Sequence, residues 1–380
     1  MNIGFDAYFL SNRCNTGIGN VVLKIILGLA KTDRKNRYFL FTPGVVHEDI
    51  AAKIRASRNM EIVTVTGPFS SYRRVWLQMP ALRRAVIARK IDFFFGGGEY
   101  VPVFLPKRIK TGAIIHDCVF RICPETLSLS EKLFYRLLFP LSLRRLDHIF
   151  TISKSSERDI RRFYRVGDTP IHVIPNGIDL ERYSPAVRRG KDRFVLFVGT
   201  IQPRKNLLNL LKGFASICGR TDARLVVVGA PGWKNSQIAS YVHSLPEAIR
   251  SRIEFKGYVG ADELVELYRQ AALFASPSLH EGFGLILLEA MASGAPVLTS
   301  DVGAVKEYFG SAVSFTDPRS PERIGESLLG LLDDPAAAKK LSRKGLALSR
   351  AFSVERMSAG YKRIFDEIAG GRTHRRQHGR

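Results

Sequence analysis

The stretch SLHEGFGLILLEAMASGAPV, residues 278–297, carries the pattern on which the predicted fold and the predicted site both depend. Glycines at 282 and 284 precede an apolar run, and glycine removes side chains where a helix begins. The N–H groups of a helix N-terminus form an anion site that a phosphate can approach. Glu281 lies before the predicted helix 285–292. Glu289 lies inside that helix, where its carboxylate can accept hydrogen bonds from both hydroxyls of a ribose.

A second stretch, FVGTIQPRKN at residues 197–206, follows a buried strand and opens a helix. It contains Gly199 and Thr200 directly after the strand and the adjacent cations Arg204 and Lys205. The positive end of a helix dipole disfavours cations, so two basic residues at this position indicate an anionic ligand. Arginine offers a planar fork to such a ligand and lysine a point charge.

Apolar strands alternate with helical patterns along the whole chain, which is typical of parallel α/β sheets. The first series begins at Ile3–Asp6 and includes a predicted helix over Ser130–Arg144. The pattern restarts with the strand Phe194–Val198, and 380 residues are too many for one ordinary core. The sequence predicts two doubly wound domains, the first over 1–172 and the second over 173–353. It also predicts an amphipathic helix at about 354–368 that packs back on the first domain, and a flexible basic tail at 369–380.

Two loops of the first domain are further candidates for ligand contacts. Gly17 and Gly19 follow the first strand, and a bare backbone there can approach a phosphate or an acceptor. A plain strand-to-helix turn explains these glycines equally well. His116 and Asp117 follow another strand at its C-terminal end, where α/β sheets bind ligands. The alternative for His116 is a core histidine with satisfied hydrogen bonds.

The 278–297 string resembles the E-x7-E signature of the retaining GT-B glycosyltransferases of family 4, also called group 1. The 197–206 string agrees with that resemblance. Three positions depart from the common pattern, namely Ile286, Thr200 and Val354, and they leave the subfamily open. The resemblance implies two Rossmann-like domains that face a central cleft.

The resemblance also implies a role for each motif residue. Catalytic roles are implied for Glu281, His116, Arg204 and Lys205. Donor-binding roles are implied for Glu289, Gly282, Phe283, Gly284, Leu285, Gly199 and Thr200. A phosphate or acceptor loop is implied at Gly17, Gly19 and Asp117. No metal is implied, since the two cations would neutralise a diphosphate leaving group.

The implied reaction moves a sugar from a nucleoside diphosphate to a glycan or lipid-linked saccharide, with retention and without a cofactor. The motifs look most like those of bacterial mannosyltransferases of surface-polysaccharide synthesis, so GDP-mannose is the expected donor. A UDP-sugar-dependent transferase of the same fold is the alternative.

The formal net charge of +23 is concentrated in the first half of the chain. Residues 1–172 contain 28 Lys and Arg against 14 Asp and Glu. A basic surface of this kind favours an anionic partner, such as a membrane surface or nucleic acid. A noncatalytic binding protein is therefore a rival from another class. No nucleic-acid motif is present in the sequence, and nucleic acid is not an expected partner.

The compartment predicted from the sequence is the cytoplasm, at the inner face of the cell membrane. The four cysteines fit neither a zinc site nor a disulfide framework. The first residues lack the pattern of a signal peptide. No apolar run reaches the roughly 18 residues of a spanning helix.

Overall fold

The computed structural model describes residues 1–12, 17–68, 70–127, 129–186, 193–232 and 236–377, and the side chains of all of these except 12, 126, 130 and 372–377. The chain forms two compact units. Unit 1 contains Met1–Cys118, Ser128–Gly177 and Val354–Arg380, and unit 2 contains Val119–Leu127 and Ile178–Ser353.

Unit 1 is built on a parallel sheet with the strand order β3-β2-β1-β4-β5-β6-β7. Its strands are β1 Asn2–Asp6, β2 Arg37–Thr42, β3 Met60–Thr64, β4 Phe93–Gly96, β5 Lys110–Ile114, β6 His148–Thr151 and β7 Ile171–Val173. The strand order reverses between β1 and β4, where Phe5 pairs with Phe95. Loops that leave these two strands diverge to opposite faces, and a crevice opens between them at the carboxyl edge of the sheet.

The helices of unit 1 cover a sheet whose strands are apolar on both faces. They are α1 Gly17–Thr32, α2 Glu48–Arg55, α3 Arg73–Trp76, α4 Pro80–Ala88, α6 Leu129–Leu137, α7 Phe139–Leu143, α8 Lys154–Phe163 and α17 Val354–Gln377. Helix α17 packs closely on α1, because a Cβ at Gly28 would lie 1.8 Å from the hydroxyl of Ser358. The Phe365 ring of α17 lies 5.3 Å from Phe95 and 5.8 Å from Phe93, centroid to centroid. The C-terminal helix is therefore part of the core of unit 1.

Unit 2 repeats the architecture with the strand order β10-β9-β8-β11-β12-β13, again parallel. Its strands are β8 Phe194–Val198, β9 Arg224–Val228, β10 Ile253–Gly257, β11 Leu273–Ser276, β12 Val297–Ser300 and β13 Ser314–Thr316. Its helices are α5 Val119–Ile122, α9 Leu207–Ile217, α10 Ser236–Ser244, α11 Glu247–Arg250, α12 Ala261–Gln270, α13 Leu285–Ala292, α14 Ala304–Phe309, α15 Pro321–Asp333 and α16 Pro335–Ser349. The order reverses between β8 and β11, so the crevice of this unit opens beside those two strands.

The core of unit 2 lies between its sheet and the helix pair α9 and α15. Leu210, Leu211 and Phe214 of α9 are fully buried against Ile324 and Leu328 of α15. The two helices approach through glycines, since a Cβ at 213 would lie 2.5 Å from a carbonyl oxygen of α15. This packing holds β8 and the loop after it in a rigid frame.

The predicted α/β class with two Rossmann-like domains is confirmed. The predicted single helix over 130–144 is instead two helices, α6 and α7, because Pro140 lacks an N–H and its ring obstructs the preceding turn. The domain boundary is predicted between residues 172 and 173, whereas in the structure the chain leaves unit 1 after Gly177 and enters unit 2 at Ile178. The last helix, predicted to end at about 368, continues to Gln377, and residues 378–380 of the predicted tail lie outside the described part. Two glycines at 370 and 371 weaken a helix by about 1 kcal/mol each without ending it.

Replacing Phe365 by alanine is expected to lower the free energy of unfolding by about 3–5 kcal/mol, because it removes a fully buried aromatic ring from the core. Denaturant unfolding of the full chain measures this change. Arg363→Ala on the exposed side of the same helix is the matched control and should change stability by less than about 1 kcal/mol. Equal effects of the two substitutions would show that α17 does not belong to the core.

Candidate functional site

The crevice of unit 2 brings the two predicted motifs together. Lys205 follows β8 and Glu281 follows β11, and the Lys205 Nζ lies 2.6 Å from the Glu281 Oε1. Arg204 donates from Nη1 to the His280 carbonyl at 2.7 Å and to the Glu281 Oε2 at 3.3 Å. Residues 76 and 77 positions apart in the sequence thus form one buried cluster of a carboxylate and two cations.

The loop backbone holds Glu281 in a fixed position. Gly303, at φ +54°, lies so close that a Cβ would be 2.1 Å from the Glu281 carbonyl oxygen. The backbone N–H of Leu279 donates to the Arg204 carbonyl at 2.9 Å. The amide of Asn206 donates to the Pro277 carbonyl at 2.9 Å, so the loops after β8 and β11 are tied to each other.

The charge state of Glu281 follows from this geometry. Burial of the carboxyl group acts to raise its pKa, but Lys205, Arg204 and a hydrogen bond from Ser278 more than offset burial. The pKa of Glu281 is therefore lowered to about 2, and the side chain is ionised at neutral pH. The site can present one negative and two positive charges in a crevice that excludes most water.

The glycine-rich turn leads from Glu281 into α13. Gly284 adopts φ +95°, a conformation that disfavours side chains, and is the residue before the helix. Gly282 is buried, and Leu285 is half-buried in the first turn. Phe283 is 3% exposed and packs against the rings of Tyr308, Phe309 and Phe352. Its ring anchors the turn to the core of unit 2.

Glu289 lies half-buried in α13 beside two tyrosines that the sequence analysis missed. The Tyr268 hydroxyl donates to its Oε2 at 3.2 Å. Burial first, and then the nearby Glu289 carboxylate, raise the pKa of both Tyr183 and Tyr268. These phenols remain protonated donors and orient the carboxylate. The remaining predicted positions, Gly199 and the exposed Thr200, lie at the end of β8.

The backbone after β8 and the backbone after β9 approach each other closely at Gly199. A Cβ at Gly229, which follows β9, would lie 2.0 Å from the Gly199 carbonyl oxygen. A Cβ at Gly199 itself would lie 3.6 Å from the Lys205 side chain. The turn after β8 therefore leaves open backbone next to the lysine.

In unit 1, His116 and Asp117 follow β5 as predicted. The His116 side chain is buried, and among the described residues its Nε2 has no hydrogen-bond partner. Burial lowers the pKa of His116 to about 4, against the opposing influence of Asp117, so the imidazole is neutral at pH 7. A buried nitrogen of this kind is available to a ligand.

A cavity of about 550 Å³ opens at the crevice of unit 1, between the loops after β1 and β4. Five of the twelve residues that line it are aromatic, and the charged Arg73, Arg74 and Glu99 are among the others. Arg73 forms an ion pair with the buried Asp6, and its guanidinium lies 4.7 Å from the centre of the Tyr100 ring. Ile18 of α1 is part of the wall, between the predicted Gly17 and Gly19. Both glycines lie in the first turn of α1 and not in a loop before the helix, and Gly19 is buried there.

Glu99 is an acidic cavity residue that the sequence analysis missed. Its carboxylate accepts a hydrogen bond from the Tyr135 hydroxyl. Burial raises the pKa of Glu99 to about 7, with Asp117 adding to the increase and Tyr135, Arg73 and Arg74 opposing it. The signal for this residue was present in the sequence, because Gly96-Gly97-Gly98 follow a run of three buried phenylalanines and mark the end of a strand.

Three further structural properties concern metal binding, membrane crossing and the cysteines. Within the described residues, no group of three His, Cys, Asp or Glu side chains is arranged to hold a metal ion. No helix in the same part of the chain combines the length and the apolar character needed to cross a bilayer. Cys118, Cys123 and Cys218 are buried, and Cys14 lies outside the described residues.

The ion cluster predicts how stability depends on pH. The folded pKa of Glu281 lies below the ordinary value of about 4.3, so its ionised form stabilises the fold above that pH. This contribution, about 3 kcal/mol, is lost as the pH falls through about 2. Urea unfolding of the native and Glu281→Gln proteins should give a stability difference that shrinks by this amount between about pH 5 and pH 2. A difference that is independent of pH would contradict the assigned ion cluster.

Curated relatives match a large part of the chain. O-antigen chain mannosyltransferase B of Escherichia coli is 28% identical over 284 residues, which cover 70% of this chain and 71% of that protein. D-inositol 3-phosphate glycosyltransferase of Corynebacterium glutamicum is 32% identical over 253 residues, 60% of each chain. The chain therefore matches between six- and seven-tenths of the length of these relatives.

Solved structures share the fold over nearly the whole chain. Sucrose-phosphate synthase of Thermosynechococcus elongatus is 18% identical with a TM-score of 0.78, over 98% of this chain and 100% of that one. HepE of Anabaena, in complex with UDP-glucose, is 17% identical with a TM-score of 0.72, over 97% of this chain and 100% of that one. These structures are GT-B glycosyltransferases, and the likeness establishes the GT-B fold of this chain.

Two family models match the chain in succession. Glycosyltransferase family 4 matches residues 15–182, and glycosyl transferases group 1 matches residues 181–347. The first match covers most of the sheet of unit 1, and the second covers the ion cluster and helix α13. Together they span both units, and the chain belongs to the group 1 glycosyltransferases of family 4.

Proposed function

We propose that this protein transfers a hexose, with retention of anomeric configuration, from a nucleoside diphosphate to a saccharide acceptor. The observation that carries the proposal is the buried cluster in which Lys205 and Arg204 meet Glu281 at the crevice of unit 2. Paired cations on a rigid loop are the groups that a departing diphosphate requires. A preorganised positive site stabilises that leaving group more as its charge grows, which is the condition for catalysis.

The reaction breaks the bond between the anomeric carbon and the diphosphate oxygen and forms one to an acceptor hydroxyl. In the proposed retaining course, the acceptor approaches the face from which the diphosphate leaves. The hydroxyl proton then passes to a diphosphate oxygen. Glu281 carries negative charge at neutral pH and would stabilise positive charge that develops on the sugar ring.

The donor would be held by the turn into α13 and by Glu289. Bare backbone at Gly282 and Gly284 permits close approach of a phosphate or a sugar. Glu289, oriented by the Tyr268 hydroxyl, would accept hydrogen bonds from the ribose. Gly199, Thr200 and Leu285 complete the proposed donor site, and Phe283 supports it from the core. We propose that no divalent metal is required, since Arg204 and Lys205 supply the positive charge.

GDP-mannose is the proposed donor. Relatives named as O-antigen mannosyltransferases support it, as does the resemblance of the motifs to mannosyltransferases. A UDP-sugar is the second candidate, because a structural neighbour of similar fold is described in complex with UDP-glucose. In either case the acceptor would be a glycan or a lipid-linked saccharide of surface-polysaccharide synthesis.

The proposed acceptor site is the cavity of unit 1. Aromatic walls suit the apolar faces of sugar rings, and Glu99 can accept hydrogen bonds from hydroxyl groups. His116 offers a neutral ring nitrogen and Asp117 a carboxylate, and Gly17 is exposed at the start of α1, whereas Gly19 is buried in the same turn. The cytoplasm at the inner membrane face is the proposed location, and nucleic acid is not a proposed partner.

Neutralising Lys205 or Glu281 should impair transfer strongly while the fold remains. Lys205→Met and Glu281→Gln are expected to lower kcat by about 100- to 1000-fold with GDP-mannose. Lys256→Met, an ion-paired lysine elsewhere in unit 2, is the control and should retain activity. Proton NMR of the product reports the anomeric configuration, and added chelator tests the metal. Retained activity in both site variants would contradict the assigned roles.

Donor identity can be measured by thermal shift against GDP, UDP, ADP and their sugar conjugates at fixed salt. Selective stabilisation by GDP is expected, because a ligand that binds the folded state raises the melting temperature. A selective response to UDP would favour the second candidate. No response to any nucleotide, together with a response to nucleic acid or lipid, would favour a noncatalytic binding protein.

Glu99→Gln is expected to raise the KM for the acceptor about tenfold, because a neutral amide is a weaker acceptor of hydroxyl hydrogen bonds than a carboxylate. In the native enzyme this KM should fall as the pH rises through about 7 and Glu99 ionises. The variant should lose that pH dependence and keep the KM for the donor. Glu61→Gln, an exposed glutamate of the same unit, is the control. Unchanged acceptor kinetics would place the acceptor elsewhere.

A further inference from the structure

Helix α6 and the start of α7 expose an unusual number of leucines. The exposed fractions are 84% for Leu129, 58% for Leu133, 54% for Leu137, 56% for Leu138 and 47% for Leu141. The first three are four residues apart, and about 100° per residue places them in a single stripe along α6. We call these five residues the leucine face. Contiguous apolar surface of this kind marks an interaction site.

The orientation of α6 is set by contacts on its other side. The Phe134 ring lies 5.0 Å from the Tyr100 ring, centroid to centroid. The Arg74 guanidinium lies 3.8 Å from the centre of the Phe134 ring. Tyr135 donates to Glu99 at the cavity wall. Phe139, at the start of α7, is fully buried against Tyr164. The aromatic residues thus anchor the helix to unit 1, and the leucines remain on the solvent side.

Cations flank the leucine face. Lys132 and Arg136 are both exposed, and the helical repeat places them directly beside the stripe of Leu129, Leu133 and Leu137. Arg144 is exposed just beyond α7. The acid of α6, Glu131, lies about 160° from Leu133, on nearly the opposite side of the helix. An apolar stripe bordered by basic residues is the pattern of helices that lie in the interface of an anionic bilayer.

We propose that the leucine face binds the surface of an anionic lipid bilayer, with its leucines among the acyl chains and Lys132, Arg136 and Arg144 at the headgroups. The charge distinguishes this partner from a second copy of the chain, because two such faces in contact would bring like charges together. The long stems of lysine and arginine allow their charges to stay at the headgroup level. Such a face would hold the enzyme at its proposed location on the membrane. Only this biological purpose, and not the binding itself, rests on the proposed function.

Vesicle flotation with the 380-residue chain tests the proposal without donor or acceptor. The protein should float with vesicles of phosphatidylcholine containing one-third phosphatidylglycerol, and binding should fall with added salt. Leu133→Ser with Leu137→Ser should weaken binding by about tenfold for each leucine. Lys132→Gln with Arg136→Gln should weaken it by about fivefold for each cation, on anionic vesicles only. Val45→Ser, at an aliphatic position that is 86% exposed outside the leucine face, is the control and should bind normally.

Each alternative outcome is separable. Unchanged melting temperatures show that the variants are folded, since the substituted side chains are exposed. Binding that the leucine and cation variants leave unchanged would overturn the proposal, as would absence of binding by the native chain. If the leucine variants instead convert a dimer to a monomer in size-exclusion chromatography, the face is an interface between copies. Failure of sugar transfer with intact vesicle binding would contradict the proposed function alone.

Discussion

The ionised carboxylate of Glu281 is the constraint on which the candidate site depends. A buried carboxylate is stable only with compensating charge, and Lys205 and Arg204 provide it across two loops. That requirement links the end of β8 to the end of β11. Gly303 is a glycine for a separate, steric reason, since a Cβ there would lie 2.1 Å from the Glu281 carbonyl oxygen. Charge compensation and close backbone packing therefore position the same residue.

Unit 1 also places its candidate site where the strand order reverses, but the residues there have different chemistry. Its sheet also reverses strand order, and the loops after β1 and β4 border a cavity in place of a cluster of charges. Asp6 and Arg73 form a buried ion pair that braces one wall, and Glu99 and Tyr135 form a hydrogen bond on another. Parallel strands end at one edge of a sheet, so polar residues after them collect where the chain diverges. The two units thus present different candidate sites on one architecture.

Helix α6 shows that a single helix can separate two roles by its faces. Phe134 and Tyr135 pack toward the cavity, while Leu129, Leu133 and Leu137 face solvent. Leucines outside the core do not stabilise the fold, so their presence in one stripe calls for a partner. The same aromatic contacts that build the cavity wall also determine which side of the helix is exposed.

The sequence by itself determined the α/β class, the two doubly wound domains and the position of the strand that begins each domain, β1 and β8. These follow from local periodicity and from glycines near Glu281, which act over a few residues. Only the tertiary structure decided that Glu289 meets Tyr183 and Tyr268, that Glu99 lines a cavity, and which side of α6 is buried. Such contacts join residues that are far apart in the chain, and packing of the sheet edges sets them without leaving a local pattern.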